Sequence, residues 1–229
     1  MMKHLACIMD GNRRWAKQKG WRSYQGHREG VEAVKRVAQF CLDRNIPYLS
    51  LYTFSIENFN RSEQEKEFLF NLIIDGAQQS LEEFLKQGIR IRFIGDRSLF
   101  PASVLSTCQL LEQQTAHLTK LNLNFLFCYG ARQEIVGGIK TLVRKVMEGI
   151  ISEDEISPEL FRECLWTKDI PEPDLIIRTG NVKRLSNFLL YQAAYSEFYF
   201  LDCLWPELTT EHLEAALTSY NNCQRNFGS

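Results

Sequence analysis

The chain has 229 residues, of which 45% are hydrophobic and 24% charged, and its formal net charge is −1. This composition is ordinary for a globular protein with a real core, and the balanced charge argues against a nucleic-acid partner. The cysteines number seven, and no pair has C-x-x-C spacing. Reduced, buried thiols are therefore favoured over disulfides or a zinc site. There is no cleavable signal and no apolar run long enough to span a bilayer, so we expect a cytoplasmic chain with at most peripheral membrane contact.

Short apolar runs alternate with helical patterns along the chain. The predicted strands are residues 5–9, 48–54, 89–94, 121–129, 175–179 and, more briefly, 198–201. The predicted helices are one with an apolar face over 31–42, a long one over 68–85 that stops at Gly88, and others at about 102–117, 132–149, 158–165 and 210–224. This alternation predicts one α/β domain over 1–229, with a mostly parallel sheet of about six strands between helices.

The most informative motif lies where the first predicted strand ends. The apolar run stops at Asp10 and Gly11 and is followed by Asn12, Arg13 and Arg14, which read as the first turn of a helix. A carboxylate can hold a hard divalent cation, and arginines beside free helical N–H groups bind phosphate oxygens. The pattern therefore predicts a site for a metal-bound polyphosphate. The alternative is that Asp10 only caps the helix.

Local charge supports an anion site near this motif. Residues 1–44 contain ten Lys and Arg against four Asp and Glu, whereas residues 148–174 contain two against nine. Both segments could instead be solvated faces. Neither of the common nucleotide loops, G-x-G-x-x-G or G-x-x-x-x-G-K-[ST], is present, which argues against a dehydrogenase or a P-loop kinase.

Further polar residues follow the other predicted strands, and in a parallel sheet such residues meet at one edge. Ser55, Glu57, Asn58 and Arg61 follow the second strand, and a second phosphate pocket is predicted after the fifth, from Arg178, Arg184 and Ser186. His27 lies between two glycines before a helix. The alternatives are a helix cap for residues 54–61, a surface salt-bridge cluster for the arginines and a structural role for His27.

Taken together, these motifs resemble the cis-prenyltransferase family, and within it the undecaprenyl diphosphate synthases. The resemblance covers residues 4–228. It rests on MDGNRRWA at 9–16, GH at 26–27, LYTFSIENFNR at 51–61, IGD at 94–96, YGAR at 129–132, IRTG at 177–180, RLSNFLLYQAAYSEFYF at 184–200 and LWP at 204–206. One such motif could arise by chance, but the whole ordered set could hardly do so.

The resemblance implies a homodimeric enzyme with an elongated apolar tunnel, which adds isopentenyl diphosphate repeatedly to farnesyl diphosphate with Mg²⁺. It implies that Asp10 holds Mg²⁺ with Glu197 as a second acidic ligand, and that Asn58 and Ser55 orient the reacting groups or accept the proton. The implied allylic-substrate contacts are Gly11, Asn12, Arg13, Arg14, Trp15, Arg22, His27, Glu57, Phe59 and Arg61. Arg178, Arg184 and Ser186 would bind isopentenyl diphosphate. The apolar face of 68–85 and Leu121 would line or close the tunnel, and Arg225, Phe227 and Gly228 would reach toward the partner.

Several positions depart from the usual family pattern. They are Arg13 for the commoner glycine, Ser23 for an arginine, Phe59 for a tryptophan, Ser62 for a proline, Cys128 and Ala131 within the usual NYGGR, and Asn181 and Val182 for a glycine and an acid. Product length, the allylic starter and the proton acceptor stay open at this point. A shorter-chain enzyme of the family is one alternative, and a non-catalytic partner subunit is another. Such partner subunits lose the DGNR-type loop, which is intact here.

Overall fold

The computed structural model describes residues 1–223, and it contains one six-stranded sheet. Its strands are β1 His4–Ile8, β2 Tyr48–Ser55, β3 Ile89–Ile94, β4 Leu121–Tyr129, β5 Leu175–Arg178 and β6 Glu197–Phe200. The spatial order is β3-β4-β2-β1-β5-β6, and every neighbouring pair is parallel. The predicted α/β class and parallel sheet are therefore confirmed.

Helices cover both faces of this sheet. They are α1 Asn12–Gln18, α2 Ser23–Asp43, α3 Glu63–Gln79, α4 Leu81–Gln87, α5 Ala102–Thr115, α6 Ala131–Met147, α7 Pro158–Arg162 and α8 Thr210–Asn222. The predicted 68–85 helix is wrong as one element, because the chain breaks at Ser80 between α3 and α4. The predicted end of the last helix, at 224, and the tail residues Arg225, Phe227 and Gly228 lie outside the described residues.

The strands are buried on both faces, which explains their nearly continuous apolar sequences. On β1, Leu5 and Cys7 join the core beneath α2, α3, α5 and α8, whereas Ala6 and Ile8 join the core on the opposite face. Cys7, Cys41, Cys108, Cys128 and Cys164 are buried free thiols, as predicted. No helix within residues 1–223 is long and apolar enough to cross a membrane.

A buried polar cluster crosses the centre of the sheet. His4 Nδ1 lies 2.7 Å from the carbonyl oxygen of Pro171, and since that oxygen only accepts, Nδ1 carries the proton. Nε2 then accepts from the Ser50 hydroxyl at 2.8 Å, and Asn124 Nδ2 donates to the same hydroxyl oxygen at 3.2 Å. Burial lowers the pKa of His4 to about 4, so the imidazole is neutral at physiological pH.

Candidate active site

The ends of β1 and β5 bring Asp10 and Arg178 together. Ile8 is paired in register with Arg178, and Asp10 follows two residues later. Arg178 Nη2 donates to Asp10 Oδ2 at 2.8 Å, and Arg14 Nη2 donates to Oδ1 at 3.3 Å. Arg178 is 4% exposed, so this ion pair lies where the sheet edge meets the core. The prediction that residues after these two strands converge is confirmed.

The backbone around Asp10 is held by the neighbouring loops. Its carbonyl oxygen accepts from Thr179 Oγ1 at 2.7 Å and from the Trp205 N–H at 3.0 Å. Gly11 follows with φ at +114°, and a Cβ there would come within 2.9 Å of Leu204, so only glycine fits. The N-cap of α1 is Gly11, without a side-chain cap, so the alternative that Asp10 only caps this helix is wrong.

A basic cleft opens beside Asp10, with a volume of about 820 Å³. Of the residues that the sequence pointed to, it is lined by Asp10, Gly11, Asn12, Arg13, Arg14, Arg22, His27 and Arg61. Two further lining residues, Lys17 and Trp21, were missed by the sequence analysis. Trp15 does not line this cleft; its ring contacts Trp21 edge-on at 5.4 Å between centroids.

The floor of the cleft contains two buried polar atoms that lack a hydrogen-bond partner, Asn12 Oδ1 and His27 Nε2. Buried polar atoms are normally satisfied, so unpaired ones at a cleft indicate where a ligand binds. Burial lowers the pKa of His27 to about 4, and Arg61 and Arg13 add to the effect, so the imidazole is neutral. Gly30 lies beneath, where a Cβ would come within 2.5 Å of Asn12 Oδ1. His27 therefore lines the cleft with its unpaired Nε2.

An acidic residue that the sequence analysis missed holds two of the cleft arginines. Glu65 Oε1 lies 3.2 Å from Arg61 Nη1 and 3.7 Å from Arg13 Nη1. Burial lowers the pKa of Arg61 from its usual value. Both arginines keep donors available for a further anion, because one carboxylate oxygen cannot satisfy two guanidinium groups.

The segment after β2 is partly a cap and partly a lining of the site. Asn58 Oδ1 accepts from the Ser55 N–H at 3.1 Å, which is the kind of helix cap given as the alternative role for residues 54–61. Asn58 also borders the apolar cavity described below. Glu57 Oε1 accepts from Asn187 Nδ2 at 2.8 Å and so joins this segment to the loop after β5. Phe59 packs edge-on against Phe54 in the core.

Arg178 also organises the second predicted phosphate pocket. Its Nη1 donates to Ser186 Oγ at 2.8 Å and to the carbonyl oxygen of Arg184, while the Arg184 side chain is exposed. Arg178 Nε is buried without a partner. Ser186 and Asn187 both have φ in the left-handed region, at 52° and 64°. The loop is therefore held in an uncommon conformation, and Arg178 connects it to Asp10.

A buried cluster that the sequence analysis missed anchors the same loop from behind. The Glu134 carboxylate, fully buried on α6, accepts from the Tyr129 hydroxyl at 2.5 Å and from Gln192 Nε2 at 2.9 Å. Its other oxygen accepts from the N–H and the hydroxyl of Thr167, at 3.0 and 2.8 Å. No local sequence signal distinguishes this glutamate from a surface residue of a helix. Its role depends on residues that are far apart in the chain.

An apolar cavity of about 170 Å³ lies between the sheet and α2, α3 and α4. It shares Met9, Asn12, His27 and Arg61 with the basic cleft, so the cavity begins where the cleft ends. Its walls are mostly apolar side chains of α2 and α3, among them Val34, Leu69, Leu72, Ile73 and Ala77. Leu121 is buried elsewhere in the core and does not line it. The elongated tunnel itself stays a prediction.

A family comparison identifies the chain. A sequence model of the prenyltransferase family, described as undecaprenyl diphosphate synthase, matches residues 8–228. This chain belongs to the isoprenyl transferase family.

Two sequence relatives and one solved structure are similar to this isoprenyl transferase over nearly its whole length. An isoprenyl transferase of Clostridium perfringens is 42% identical over 228 residues, which cover 100% of this chain and 90% of the relative. A tritrans,polycis-undecaprenyl-diphosphate synthase of Thermoplasma acidophilum, specific for geranylgeranyl diphosphate, is also 42% identical, over 99% of this chain and 88% of its own length. The crystal structure of lavandulyl diphosphate synthase from Lavandula x intermedia, in complex with dimethylallyl diphosphate, superposes with a TM-score of 0.96 at 33% identity, covering 100% of this chain and 98% of that one.

One residue that the resemblance assigned to the metal lies elsewhere in this isoprenyl transferase. Glu197 begins β6 and is level with Leu175, whereas Asp10 lies beyond the opposite ends of the strands, past Arg178. The three residue steps from Leu175 to Arg178 span about 10 Å of strand. The two carboxylates therefore lie at opposite ends of the parallel strands. The prediction that Glu197 joins Asp10 at one metal ion is therefore wrong within a single chain.

The residues at the cleft nevertheless fit Mg²⁺. Residues 1–223 contain no cluster of three or more His, Cys, Asp or Glu side chains that could form an all-protein metal site. Mg²⁺ in phosphate-handling enzymes is commonly held by one or two carboxylates together with substrate phosphates. Asp10 provides one carboxylate, and its Oδ1 bond to the half-exposed Arg14 is long enough to be exchanged.

Proposed function

We propose that this isoprenyl transferase condenses isopentenyl diphosphate repeatedly onto farnesyl diphosphate, forming a cis double bond at each step and an undecaprenyl diphosphate product. The observation that supports it is the Arg178–Asp10 ion pair, which joins two anion-binding loops beside the entrance of an apolar cavity. A diphosphate head at each loop would bring the two reacting carbons together, and the cavity would receive the hydrocarbon tail. The apolar surface of that tail favours burial.

Each condensation step breaks one C–O bond and one C–H bond and forms one C–C bond. The C1–O bond of the allylic diphosphate breaks, and the diphosphate leaves with the electron pair. C4 of isopentenyl diphosphate bonds to C1 with the electrons of its C3=C4 double bond. The proton lost from C2 passes to the departing diphosphate or to water, which leaves a new C2=C3 double bond. Asp10 would hold Mg²⁺, which would supply neutralisation of the charge on the departing diphosphate.

The protein's own side chains would position both heads. Arg13, Arg14, Arg22 and Arg61 surround the cleft with fixed positive charge that is preorganised for an anion. The unpartnered Asn12 Oδ1 and His27 Nε2 lie where the cleft narrows into the cavity. Neutral His27 can accept a hydrogen bond or a proton there, whereas a cationic imidazole has only donors and could accept neither.

Isopentenyl diphosphate would bind at the Arg178 loop. The unpartnered Arg178 Nε and the Ser186 hydroxyl are available donors, and Arg184 is exposed and can close over the head. Asn58, which borders the cavity beneath, would orient the reacting carbons. Because Arg178 contacts Asp10, charge that develops on one diphosphate would interact electrostatically with the other diphosphate.

A shorter-chain cis-prenyltransferase is the second candidate, and the size of the cavity favours it. An apolar cavity of about 150 Å³ accommodates one benzene molecule, and the cavity here is about 170 Å³. An undecaprenyl chain would need the cavity to enlarge. The non-catalytic alternative is disfavoured because the Asp10–Arg13 loop is intact and Asp10 faces the cleft.

The proposal includes a homodimer. α6 and the residues after it present apolar side chains at 136, 139, 143, 147 and 150, and each of them is at least 47% exposed. The first four lie on one face of α6, and residue 150 follows the end of the helix. An apolar stripe of this kind on a surface helix normally packs against another surface. Light scattering of the wild-type protein and of Val143→Glu would test it, and a monomeric wild-type protein would refute it.

The decisive experiment is an elongation assay. Purified protein is incubated with farnesyl diphosphate, labelled isopentenyl diphosphate and Mg²⁺, with EDTA as the matched control, and the dephosphorylated products are weighed by mass spectrometry. Products of many added units support the proposal, and products of one or two units support the shorter-chain candidate. Absence of any elongation with Mg²⁺ present would refute both.

The same proposal includes a cytoplasmic location. It also includes peripheral contact with a membrane, to which the lipid product would be delivered.

A further inference from the structure

The loop that follows β5 is attached to the start of α6 by one residue, Asn187. α6 begins after Gly130, which provides no side-chain cap, so the first N–H groups of the helix need partners from outside it. The Ala131 N–H donates to the carbonyl oxygen of Asn187 at 2.8 Å, and the Arg132 N–H donates to Asn187 Oδ1 at 2.8 Å. Asn187 therefore caps a helix whose first turn is 55 residues away along the chain.

The amide of Asn187 also contacts the segment that follows β2. Its Nδ2 donates to Glu57 Oε1 at 2.8 Å and to Gln133 Oε1 at 3.1 Å. The orientation of the amide is unambiguous, because a backbone N–H only donates and an ionised carboxylate only accepts. Gly130 makes room for it, since a Cβ there would lie 2.7 Å from Asn187 Nδ2. One residue thus joins the segments that follow β2, β4 and β5.

The backbone beside Asn187 needs this support. Ser186, Asn187 and Leu189 have φ of 52°, 64° and 43°, in the left-handed region that a Cβ disfavours. Such a conformation persists only when surrounding contacts offset its cost. Burial of Phe188 and Leu189 anchors the loop beyond Asn187, and the Ser186 carbonyl accepts only a 3.2 Å hydrogen bond from the Tyr52 hydroxyl. The bonds of Asn187 are therefore the main polar anchor next to Ser186.

The position of Ser186 matters because of what its hydroxyl contacts. Ser186 Oγ accepts from Arg178 Nη1 at 2.8 Å, and Arg178 Nη2 donates to Asp10. Asn187 itself is half-buried and lines neither the basic cleft nor the apolar cavity. Its effect on the site must therefore pass through the residues that it holds.

We propose that Asn187 is a positioning residue for the second substrate: by capping α6 and binding Glu57, it fixes Ser186 beside Arg178 at the isopentenyl diphosphate site. This inference rests on the proposed function. Without these bonds the loop would sample other conformations, and the apparent affinity of a ligand falls with the fraction of time in which its site is formed. The binding of farnesyl diphosphate in the basic cleft should not depend on this loop.

Asn187→Gly is the main variant. It removes the three side-chain hydrogen bonds and leaves the left-handed backbone without strain. We expect the Kd of isopentenyl diphosphate to rise about tenfold, as for a loop that is correctly placed for about a tenth of the time. The KM for isopentenyl diphosphate should rise with it, and the KM for farnesyl diphosphate should not change.

The matched control is Asn181→Gly. Asn181 also follows β5, has φ of 53° and is exposed. Both substitutions replace asparagine by glycine in the same backbone conformation, so they change the entropy of the unfolded chain alike. Asn181→Gly should leave the Kd unchanged, and thermal melting checks that each variant is folded. An equal Kd for the wild-type protein and a folded Asn187→Gly would overturn the inference.

A second set of variants decides the question even if Asn187→Gly is unstable. Asn187→Asp keeps an acceptor for the Arg132 N–H but places a carboxylate against Glu57, so the Kd should rise. Adding Glu57→Gln to that variant restores a donor and an acceptor at this contact with their roles exchanged, and the Kd should recover toward the wild-type value. A general loss of stability would lower Tm without this recovery, and a Kd that does not recover would count against the inference.

Calorimetry with isopentenyl diphosphate alone measures each Kd without turnover, and steady-state kinetics then separates kcat from the KM of each substrate. A wild-type protein that binds no isopentenyl diphosphate refutes the proposed function and this inference with it. Binding by the wild-type protein with the same Kd in Asn187→Gly overturns the role of Asn187 alone. An equal rise in the KM of both substrates would also overturn it, because positioning at one loop affects one substrate.

Discussion

Removal of the Asp10 carboxylate tests the centre of the proposed site. Asp10→Ala deletes the partner of Arg178 at 2.8 Å and of Arg14 at 3.3 Å, and it removes the proposed ligand of Mg²⁺. Loss of one well-placed electrostatic group costs about 2.7–4 kcal/mol in the barrier, which is a fall of about 10²–10³ in kcat. Because the metal contact would be lost together with the arginine contacts, we expect a fall at or beyond the upper end of that range.

The same change has a smaller effect on stability. Breaking a buried ion pair by removing one partner costs about 3–5 kcal/mol, but the Asp10 side chain is 30% exposed and Arg178 keeps Ser186 and the Arg184 carbonyl. We therefore expect a loss of about 1–2 kcal/mol, and a fall in Tm of about 2–8 °C for a chain of this size. A folded but nearly inactive variant is the expected outcome.

The assay measures kcat, the KM of both substrates and the Mg²⁺ dependence for the wild-type protein, Asp10→Ala and Asp10→Asn. Asp10→Asn keeps the volume of the side chain and removes its charge, so it should resemble Asp10→Ala in kcat and the wild-type protein more closely in Tm. Asp154→Ala, an exposed carboxylate in the acidic stretch, is the matched control and should change neither quantity. A folded Asp10→Ala enzyme with near-normal kcat would show that the reasoning about this site is incorrect.

Three further predictions follow from the buried groups. Arg178→Lys should raise the KM for isopentenyl diphosphate by about 10–100-fold, since one ammonium group cannot contact both Asp10 and Ser186 as a planar guanidinium does. An unchanged KM in steady-state kinetics would contradict this. Glu134→Gln should lower the free energy of unfolding by about 2–3 kcal/mol, because an amide places a donor where the carboxylate accepts from Tyr129 and Gln192. Urea denaturation at pH 7 measures this free energy. An unchanged value would mean that the Gln192 amide turns to compensate. The pKa of His4 is lowered to about 4 from an unfolded value near 6.5, so its neutral form is favoured in the folded protein and no stability is lost above pH 6.5. As the pH falls from 6.5 toward 4, up to about 3 kcal/mol of stability is lost; the loss should be smaller in His4→Gln, and equal pH dependence in the two proteins would refute the assignment.

Much of the fold could be predicted from the sequence because its signals are local. The strands are continuous apolar runs, and burial on both faces produces that pattern whatever the neighbouring strands are. Asp10, Arg178 and Ser186 could be assigned to one edge of the sheet because all parallel strands end on the same side. The break at Ser80 was not predictable in this way, because the apolar period runs through it and serine gives only a weak stop.

Side chains whose roles depend on distant partners could not be assigned from the sequence. Glu134 reads as an ordinary residue in the first turn of a helix, and its partners Thr167 and Gln192 are 33 and 58 residues away. Glu197 matched its motif, but the register of β6 against β5 places it at the far edge of the sheet from Asp10. Motif matching reports which residues are present and in what order, and it contains no information on strand register.

The sequence by itself determined the strand and helix pattern, the family and the set of charged residues at the strand ends, because each of these depends on residues close together in the chain. Only the tertiary structure decided that Arg178 joins the loops that follow β1 and β5, and that the neutral His27 lies where the cleft meets the cavity. These features arise from packing between elements that are far apart in sequence. Distances of that kind are set by sheet order and helix placement, which no local pattern of residues encodes.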